Sequence, residues 1–154
     1  MAGALGLHAY GHSRATFDLH VVTVSAAQVR LVAALEALGY ETLHVSAGYS
    51  NHQHPDADWG GVDVIYVDEQ TARRLFAGCS RKLRIGDREA PVPRAEHLAA
   101  MKVQAMRNDP TRLVQDLADV QELLRLPSTD RAEVLRYFEK AGMVEWYERL
   151  VATL

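Results

Sequence analysis

The chain has 154 residues, enough for one well-packed domain or two small lobes and too few for two independent domains of usual size. Its 48% apolar and 24% charged residues exclude a disordered chain, and its net charge of -3 argues against strong sequence-independent binding to nucleic acid. The single cysteine, Cys79, excludes an internal disulfide framework and predicts a reducing compartment, the cytoplasm.

Membrane insertion and secretion are also not expected from the sequence. No apolar run approaches the roughly 20 residues that a membrane helix needs. The amino terminus has no basic segment followed by an apolar core, the pattern of a secretion leader.

Residues 1–92 have the pattern of a small sheet with flanking helices. Gly3 and Ala4 stand at the head of a short helix. The apolar patterns further predict strands at 17–24, 40–46 and 62–67, helices from Ser25 to Gly39 and over 69–77, and a hairpin over 81–92 around Gly86-Asp87. Ser25 and Gln28 have the spacing of a capping box. The polar segment 51–58 is expected to be a loop.

Residues 93–154 contain no strand pattern and predict four helices, which form a helical lobe. Lys102 falls on the border of the apolar stripe of the first of these helices. Asp116 and Asp119 fall on the flank of the second, where Arg112 and Asp116 would form a surface ion pair. Thr129 or Asp130 is expected to begin the third helix, with Glu133 completing a capping box after Asp130. The whole chain therefore predicts an α+β fold in one compact unit, with a mixed sheet over 1–92 and a helical lobe over 93–154 packed on it.

Three residues in the predicted strands have side chains that can bind a metal. Asp18 and His20 are two residues apart, so on a strand both side chains leave the same face. Asp63 lies in a run apolar enough to be buried, where an unpaired carboxylate would be costly. We therefore expect Asp63 to meet a cation, a metal or strong hydrogen-bond donors, unless it is exposed at the strand end after Gly60-Gly61.

The predicted loop at 51–58 offers a second set of metal-binding groups. The set consists of His52, His54, Asp56 and Asp58. A metal-binding cluster and an ordinary polar loop tip both explain these residues.

These pieces together resemble the nucleotidyltransferase-like proteins of the AbiEii type, which are toxins of bacterial abortive-infection and toxin-antitoxin systems. The resemblance covers nearly the whole chain. In that family, a Gly-Gly or Gly-Ala turn precedes the motif Gly-x-x-Arg-x-Thr-x-Asp-hydrophobic-Asp. The matching residues here are Gly3-Ala4, Gly11, Arg14, Thr16, Asp18, Leu19 and His20, followed by Asp63 for a third carboxylate and by Lys102, Ala105, Arg107, Asp116 and Asp119 in the helical lobe.

The resemblance implies transfer of a nucleotide from an NTP to RNA, such as tRNA, or to protein, with an antitoxin protein as a partner. It assigns catalysis to Asp18, Asp63 and Lys102, and metal binding to Asp18, His20 and Asp63. Gly3, Ala4, Arg14 and Thr16 would contact the nucleotide, and the acceptor hydroxyl would attack the α-phosphate. Carboxylates in such a site hold Mg²⁺ or Mn²⁺ against the triphosphate, and cations and backbone donors take up the remaining phosphate charge.

The chain departs from the family motif at His20, which replaces the second carboxylate of Asp-x-Asp. Imidazole is neutral and softer than carboxylate, so the site should hold Mg²⁺ less well while still serving Mn²⁺ or another transition metal. Two hypotheses follow: a nucleotidyltransferase with impaired or altered metal use, and a catalytically inactive nucleotide-binding or protein-interaction module on the same fold.

Overall fold

The computed structural model describes residues 1–79 and 81–154, and these residues form a mixed α+β fold, as the sequence predicts. The helices are α1 (Gly3–His8), α2 (Gln28–Ala37), α3 (Glu69–Phe76), α4 (Ala95–Asn108), α5 (Leu113–Arg125), α6 (Arg131–Ala141) and α7 (Val144–Val151). The strands are β1 (Asp18–Val24), β2 (Glu41–Val45), β3 (Tyr49–Gln53), β4 (Gly61–Val67), β5 (Lys82–Ile85) and β6 (Arg88–Pro91). Over the ranges described, no helix has both the length and the apolar character needed to cross a membrane.

The larger sheet has the strand order β1-β4-β3-β2. Strand β1 runs parallel to β4, whereas β3 is antiparallel to both β4 and β2. Strands β5 and β6 form the separate hairpin that the sequence predicts. The sheet therefore places β1 and β4 side by side, although 36 residues separate Val24 from Gly61 in the chain.

Strand β3 corrects the expectation of a loop at 51–58. Residues 51–53 pair with β4, so the loop begins only after Gln53. The segment Tyr-Ser-Asn-His-Gln lacks the apolar residues that normally mark a strand. It is a strand because its neighbours on both sides satisfy its backbone groups and because its side chains on both faces form hydrogen bonds to β2 and β4.

The two faces of the sheet pack against different parts of the chain. Helix α2 covers one face, where Leu35 clusters with Val62, Val64 and Tyr66. The opposite face carries Asp18, His20 and Asp63, and its apolar residue Val22 joins the main core with the four C-terminal helices. That core includes the fully buried residues Leu7, Val92, Ala99, Val120, Leu124, Val134 and Phe138. The face that carries Asp18, His20 and Asp63 is thus the face that meets the helical lobe.

The helix starts differ in part from the predicted caps. Ser25 begins a single 3-10 turn, and no capping box forms because Ser25 donates to the Val67 carbonyl and Gln28 donates to the Ser46 carbonyl. Asp130 caps α6 as predicted, accepting from the Glu133 amide. The Glu133 carboxylate does not return the bond, because it accepts from Arg94 and Tyr137 instead.

Gly60 allows the chain to enter β4 directly beside the start of β1. Its φ of 64° and ψ of -164° lie in a region that essentially only glycine occupies. A Cβ atom built on Gly60 would lie 1.9 Å from the backbone oxygen of Phe17, and that oxygen accepts the hydrogen bond from the Gly61 amide. Gly60 therefore fixes the register of β1 and β4, the two strands that carry Asp18 and Asp63.

We expect Gly60→Ala to lower the free energy of unfolding by at least about 3 kcal/mol. Alanine is strained at the φ and ψ of Gly60, and its methyl group would collide with the Phe17 backbone oxygen. Gly142→Ala is the matched control: Gly142 also has a positive φ, 71°, but nothing lies within 4 Å of its built Cβ. Gly142→Ala should cost only about 1 to 2 kcal/mol. Urea denaturation of both variants measures the difference, and equal losses would contradict this account of Gly60.

Candidate functional site

The register of the parallel strands brings Asp18, His20 and Asp63 together. His20 lies beside Asp63 across β1 and β4, and Asp18 lies beside Gly61. Each of the three side chains offers a ligand atom, and those atoms all lie within 4.8 Å of one another. The prediction that Asp18 and His20 share one face of a strand is therefore confirmed.

The donor set of this cluster fits a divalent cation. His20 Nε2 is 3.1 Å from Asp63 Oδ2. Neighbouring ligands of an octahedral ion with bonds of about 2.1 Å are about 3 Å apart, so the spacing matches two ligands of one ion. Two carboxylates and one imidazole suit Mn²⁺ or another transition metal better than Mg²⁺, which prefers oxygen.

Asp63 is held as a charged carboxylate by three neighbouring side chains. Besides the contact with His20, its Oδ1 accepts a hydrogen bond from Asn51 Nδ2 at 2.7 Å and another from the Tyr49 hydroxyl. Burial alone would raise the pKa of Asp63, but the hydrogen bonds from His20, Tyr49 and Asn51 outweigh burial and lower the pKa from 3.8 to about 2. The expectation of strong hydrogen-bond donors is confirmed, and exposure at a strand end is excluded.

Tyr49 and Asn51 were not among the predicted site residues. They lie on β3, which the sequence analysis missed, and the register places Asn51 opposite Asp63 and Tyr49 opposite Ile65. Burial and the hydrogen bond to Asp63 raise the pKa of Tyr49, so its hydroxyl remains a donor at neutral pH. The signal in the sequence is the spacing of two between Tyr49 and Asn51, which puts both on one strand face.

Two glycines leave room for the cluster. A Cβ atom built on Gly3, whose φ is 56°, would lie 2.8 Å from His20 Cγ, and one built on Gly61 would lie 2.7 Å from Asp18 Oδ1. The amide of Ala2, just before Gly3, donates to the His20 carbonyl at 3.0 Å. The start of α1 is thereby fixed against β1, with the Gly3 backbone in contact with the imidazole.

A cleft of about 690 Å³ opens beside the cluster, between the sheet and α4. Its volume is typical of a site for a small organic ligand. The lining includes Gly3, His20, Tyr49, Asp63, Lys102 and Arg112. Four of the residues to which the family resemblance assigns a role, namely Gly3, His20, Asp63 and Lys102, thus line one cavity.

Three other predicted nucleotide contacts lie outside the cleft lining as the structure describes it. Ala4 is buried within α1. Thr16 donates from its hydroxyl to the Asp18 carbonyl, which shapes the turn into β1. Arg14 donates from Nε and Nη2 to the two carboxylate oxygens of Asp119, both at 3.1 Å. The structure does not bring these three side chains to the cavity.

Lys102 occupies the centre of a buried row of alternating charges. Its Nζ is 2.7 Å from Asp116 Oδ1 and 2.6 Å from Asp119 Oδ2. Asp119 also holds Arg14, and Asp116 also holds Arg112 through Nε at 3.1 Å. The spatial order of the side chains along the row is therefore Arg14, Asp119, Lys102, Asp116 and Arg112. The row contains three cations and two carboxylates.

This row corrects two predictions. Lys102 is not on the border of the apolar stripe but is buried, and Asp116 and Asp119 are not on a solvated flank but are 0% and 1% exposed. Burial would raise the pKa of Asp119, but the hydrogen bonds from Arg14 and Lys102 outweigh burial and lower the pKa. The two aspartates tolerate burial because each pairs with two cations: Lys102 pairs with both, Arg112 also pairs with Asp116, and Arg14 also pairs with Asp119.

The alternative metal cluster around His52 does not form. His52 is fully buried on the sheet face that α2 covers, where its two ring nitrogens contact Thr42 and Ser50. His54 instead stacks on Trp59, with ring centroids 5.0 Å apart. Within residues 1–79 and 81–154, only Asp18, His20 and Asp63 form a group of three or more candidate ligands.

Comparison with protein-family models and with curated proteins finds no match to this chain. The resemblance to AbiEii-type nucleotidyltransferases therefore depends on the residues and motifs quoted above. The geometry of the cluster and of the cleft provides the independent basis for a functional proposal.

We expect Lys102→Met to lower the free energy of unfolding by about 3 to 5 kcal/mol, because it leaves two buried carboxylates without their shared cation. Lys82→Met is the matched control. Lys82 pairs with Glu89 at 2.8 Å on the surface hairpin, where both side chains are more than half exposed. That substitution should leave the free energy of unfolding almost unchanged. Urea denaturation at pH 7 compares the two, and a small loss for Lys102→Met would contradict the burial argument.

Proposed function

We propose that this chain is a metal-dependent nucleotidyltransferase-like protein, which binds an NTP in the cleft and transfers a nucleotide to RNA or protein. The observation that carries the proposal is the cluster of Asp18, His20 and Asp63, because two of its members, His20 and Asp63, line the same cleft as Lys102. A cluster of metal ligands facing a buried cation is the arrangement that a triphosphate requires.

The metal would be held by Asp18, His20 and Asp63. Bound there, it would supply charge neutralisation at the triphosphate and polarise the reacting phosphoryl group. Because His20 contributes nitrogen in place of a carboxylate, we expect Mn²⁺ to serve better than Mg²⁺. Tyr49 and Asn51 would keep the Asp63 carboxylate charged and fixed in direction.

The protein side chains would bind and orient the nucleotide. Lys102 lines the cleft, with its amine held between two buried carboxylates, and the Gly3 backbone leaves space beside His20. The acceptor hydroxyl would attack the α-phosphorus, with pyrophosphate as the leaving group. Arg14, Thr16 and Ala4 would act through the position of β1 and α1 and not by direct contact.

The biological setting of the proposal follows from the family resemblance alone. By that resemblance the chain would be a toxin of toxin-antitoxin type, acting in the cytoplasm on an RNA such as tRNA or on a protein. An antitoxin protein would then be its partner. The single cysteine of the sequence is in keeping with a reducing compartment.

One observation favours the alternative of a nucleotide-binding module without catalysis. The carboxylate of Asp63 is already satisfied by His20, Tyr49 and Asn51, so the cluster is stable without a metal. Metal binding must therefore replace the contact between His20 and Asp63 with two bonds to the ion. Nucleotide binding without metal would leave this contact intact.

The proposal is tested by incubating the protein with each labelled NTP and with total RNA or total cell protein, in Mn²⁺ or Mg²⁺. We expect labelled RNA or labelled protein with Mn²⁺, and a loss of at least 100-fold in Asp18→Asn and Asp63→Asn, as is common when a transition-state contact is removed (about 10² or more). Asp87→Asn, a change of the same kind at the exposed hairpin turn, should retain full activity.

Calorimetry separates the two candidate functions. NTP binding that Mn²⁺ strengthens in the wild-type chain but not in Asp18→Asn supports the enzyme. Binding of NTP that is indifferent to Mn²⁺, without any label transfer, supports the inactive module. Absence of NTP binding with and without both metals would exclude both.

A further inference from the structure

Arg112 lies on the wall of the cleft that faces His20 and Asp63 of the candidate metal site. It occupies a single 3-10 turn, Pro110–Arg112, between α4 and α5, and it lines the same cavity as His20 and Asp63. From the sequence, Arg112 is expected only as one half of a surface ion pair.

The guanidinium of Arg112 is anchored at one nitrogen and free at the others. Its Nε donates to Asp116 Oδ2 at 3.1 Å. Among the described residues, neither terminal nitrogen of Arg112 has a protein partner within hydrogen-bond distance. Its side chain is 37% exposed. Four N–H donors of a rigid planar group are thus available, in the geometry that binds phosphate oxygens in pairs.

Asp116 couples Arg112 to Lys102. The carboxylate is fully buried, with one oxygen on Lys102 and the other on Arg112. Because one fixed group orients both cations, Lys102 and Arg112 form a rigid pair on the same wall of the cleft. This arrangement lowers the entropic cost of binding a polyphosphate across both cations.

The other arginine of the buried row cannot fill the same role. Arg14 donates from Nε and Nη2 to the two carboxylate oxygens of Asp119, and it is not among the residues that line the cleft. With three cations and two carboxylates, the row has one excess positive charge, and Arg112 is the member whose donors remain open to the cavity.

We propose that Arg112 binds the phosphates of the nucleotide, with Asp116 as the positioning residue that aligns it with Lys102. This inference rests on the proposed function, whose substrate it specifies as a polyphosphate ester recognised through Arg112. Phosphate binding at Arg112 requires no metal, so it can be measured apart from catalysis.

Calorimetry with inorganic tripolyphosphate in the presence of EDTA tests the inference. We expect the wild-type chain to bind, and Arg112→Gln to bind at least about ten-fold more weakly, as follows from losing charge-assisted hydrogen bonds. Arg125→Gln is the matched control: Arg125 is half exposed, pairs with Glu122, and lies at the far end of α5, about 20 Å along the helix axis. It should bind tripolyphosphate as the wild type does.

Arg112→Lys decides the question if Arg112→Gln fails to fold. A lysine retains the ion pair to buried Asp116, but its amine is occupied by that pair and it lacks the planar fork. Thermal unfolding should show a folded protein, and calorimetry should again show weakened binding. Tripolyphosphate binding that is absent in the wild type, unchanged in a folded Arg112 variant, or equally weakened in Arg125→Gln would overturn the inference.

The outcome is distinguishable from failure of the proposed function. Arg112-dependent binding of tripolyphosphate without any label transfer would count against catalysis and leave the phosphate site standing. Label transfer that persists at the wild-type rate and KM in Arg112→Gln would remove Arg112 from the site and leave the transferase standing.

Discussion

The buried row of alternating charges is the constraint on which the rest of the structure depends. Lys102 lies between Asp116 and Asp119, and each aspartate also forms an ion pair with an arginine. Since an isolated buried charge is costly, the three buried members, Lys102, Asp116 and Asp119, depend on one another and on the two partly exposed arginines. Arg14 belongs to the segment before β1, whereas the other four residues belong to the helical lobe, so the row also joins the functional strand to the helices.

The two walls of the cleft consequently have opposite chemistry. The sheet wall offers the Asp63 carboxylate and the His20 imidazole, which suit a cation together with the neighbouring Asp18, and the helical wall offers Lys102 and Arg112, which suit an anion. A polyphosphate bound through a metal satisfies both walls at once. His20 stands in place of the second carboxylate of the family motif and contacts Asp63. The cluster therefore avoids the repulsion between three carboxylates, and it is stable without a metal.

Local patterns in the sequence predicted much of this arrangement. The α+β class, the shared face of Asp18 and His20, and the need of Asp63 for donors all follow from periodicity and from the cost of burying charge. Strand β3 could not be predicted, because its polar side chains are satisfied by β2 and β4 and not by apolar packing. The burial of Asp119 likewise depends on Arg14, 105 residues earlier, and no local pattern reports such a partner.

The central claim is that Asp18, His20 and Asp63 form one metal site with a nitrogen ligand. Pulsed electron paramagnetic resonance of Mn²⁺ added with ATP tests it most directly, because a directly bonded nitrogen couples to the unpaired electrons of the ion. The account predicts nitrogen coupling in the wild-type chain and its loss in His20→Asp, with Mn²⁺ still bound. Wild-type Mn²⁺ without nitrogen coupling, or coupling that survives in His20→Asp, would contradict it.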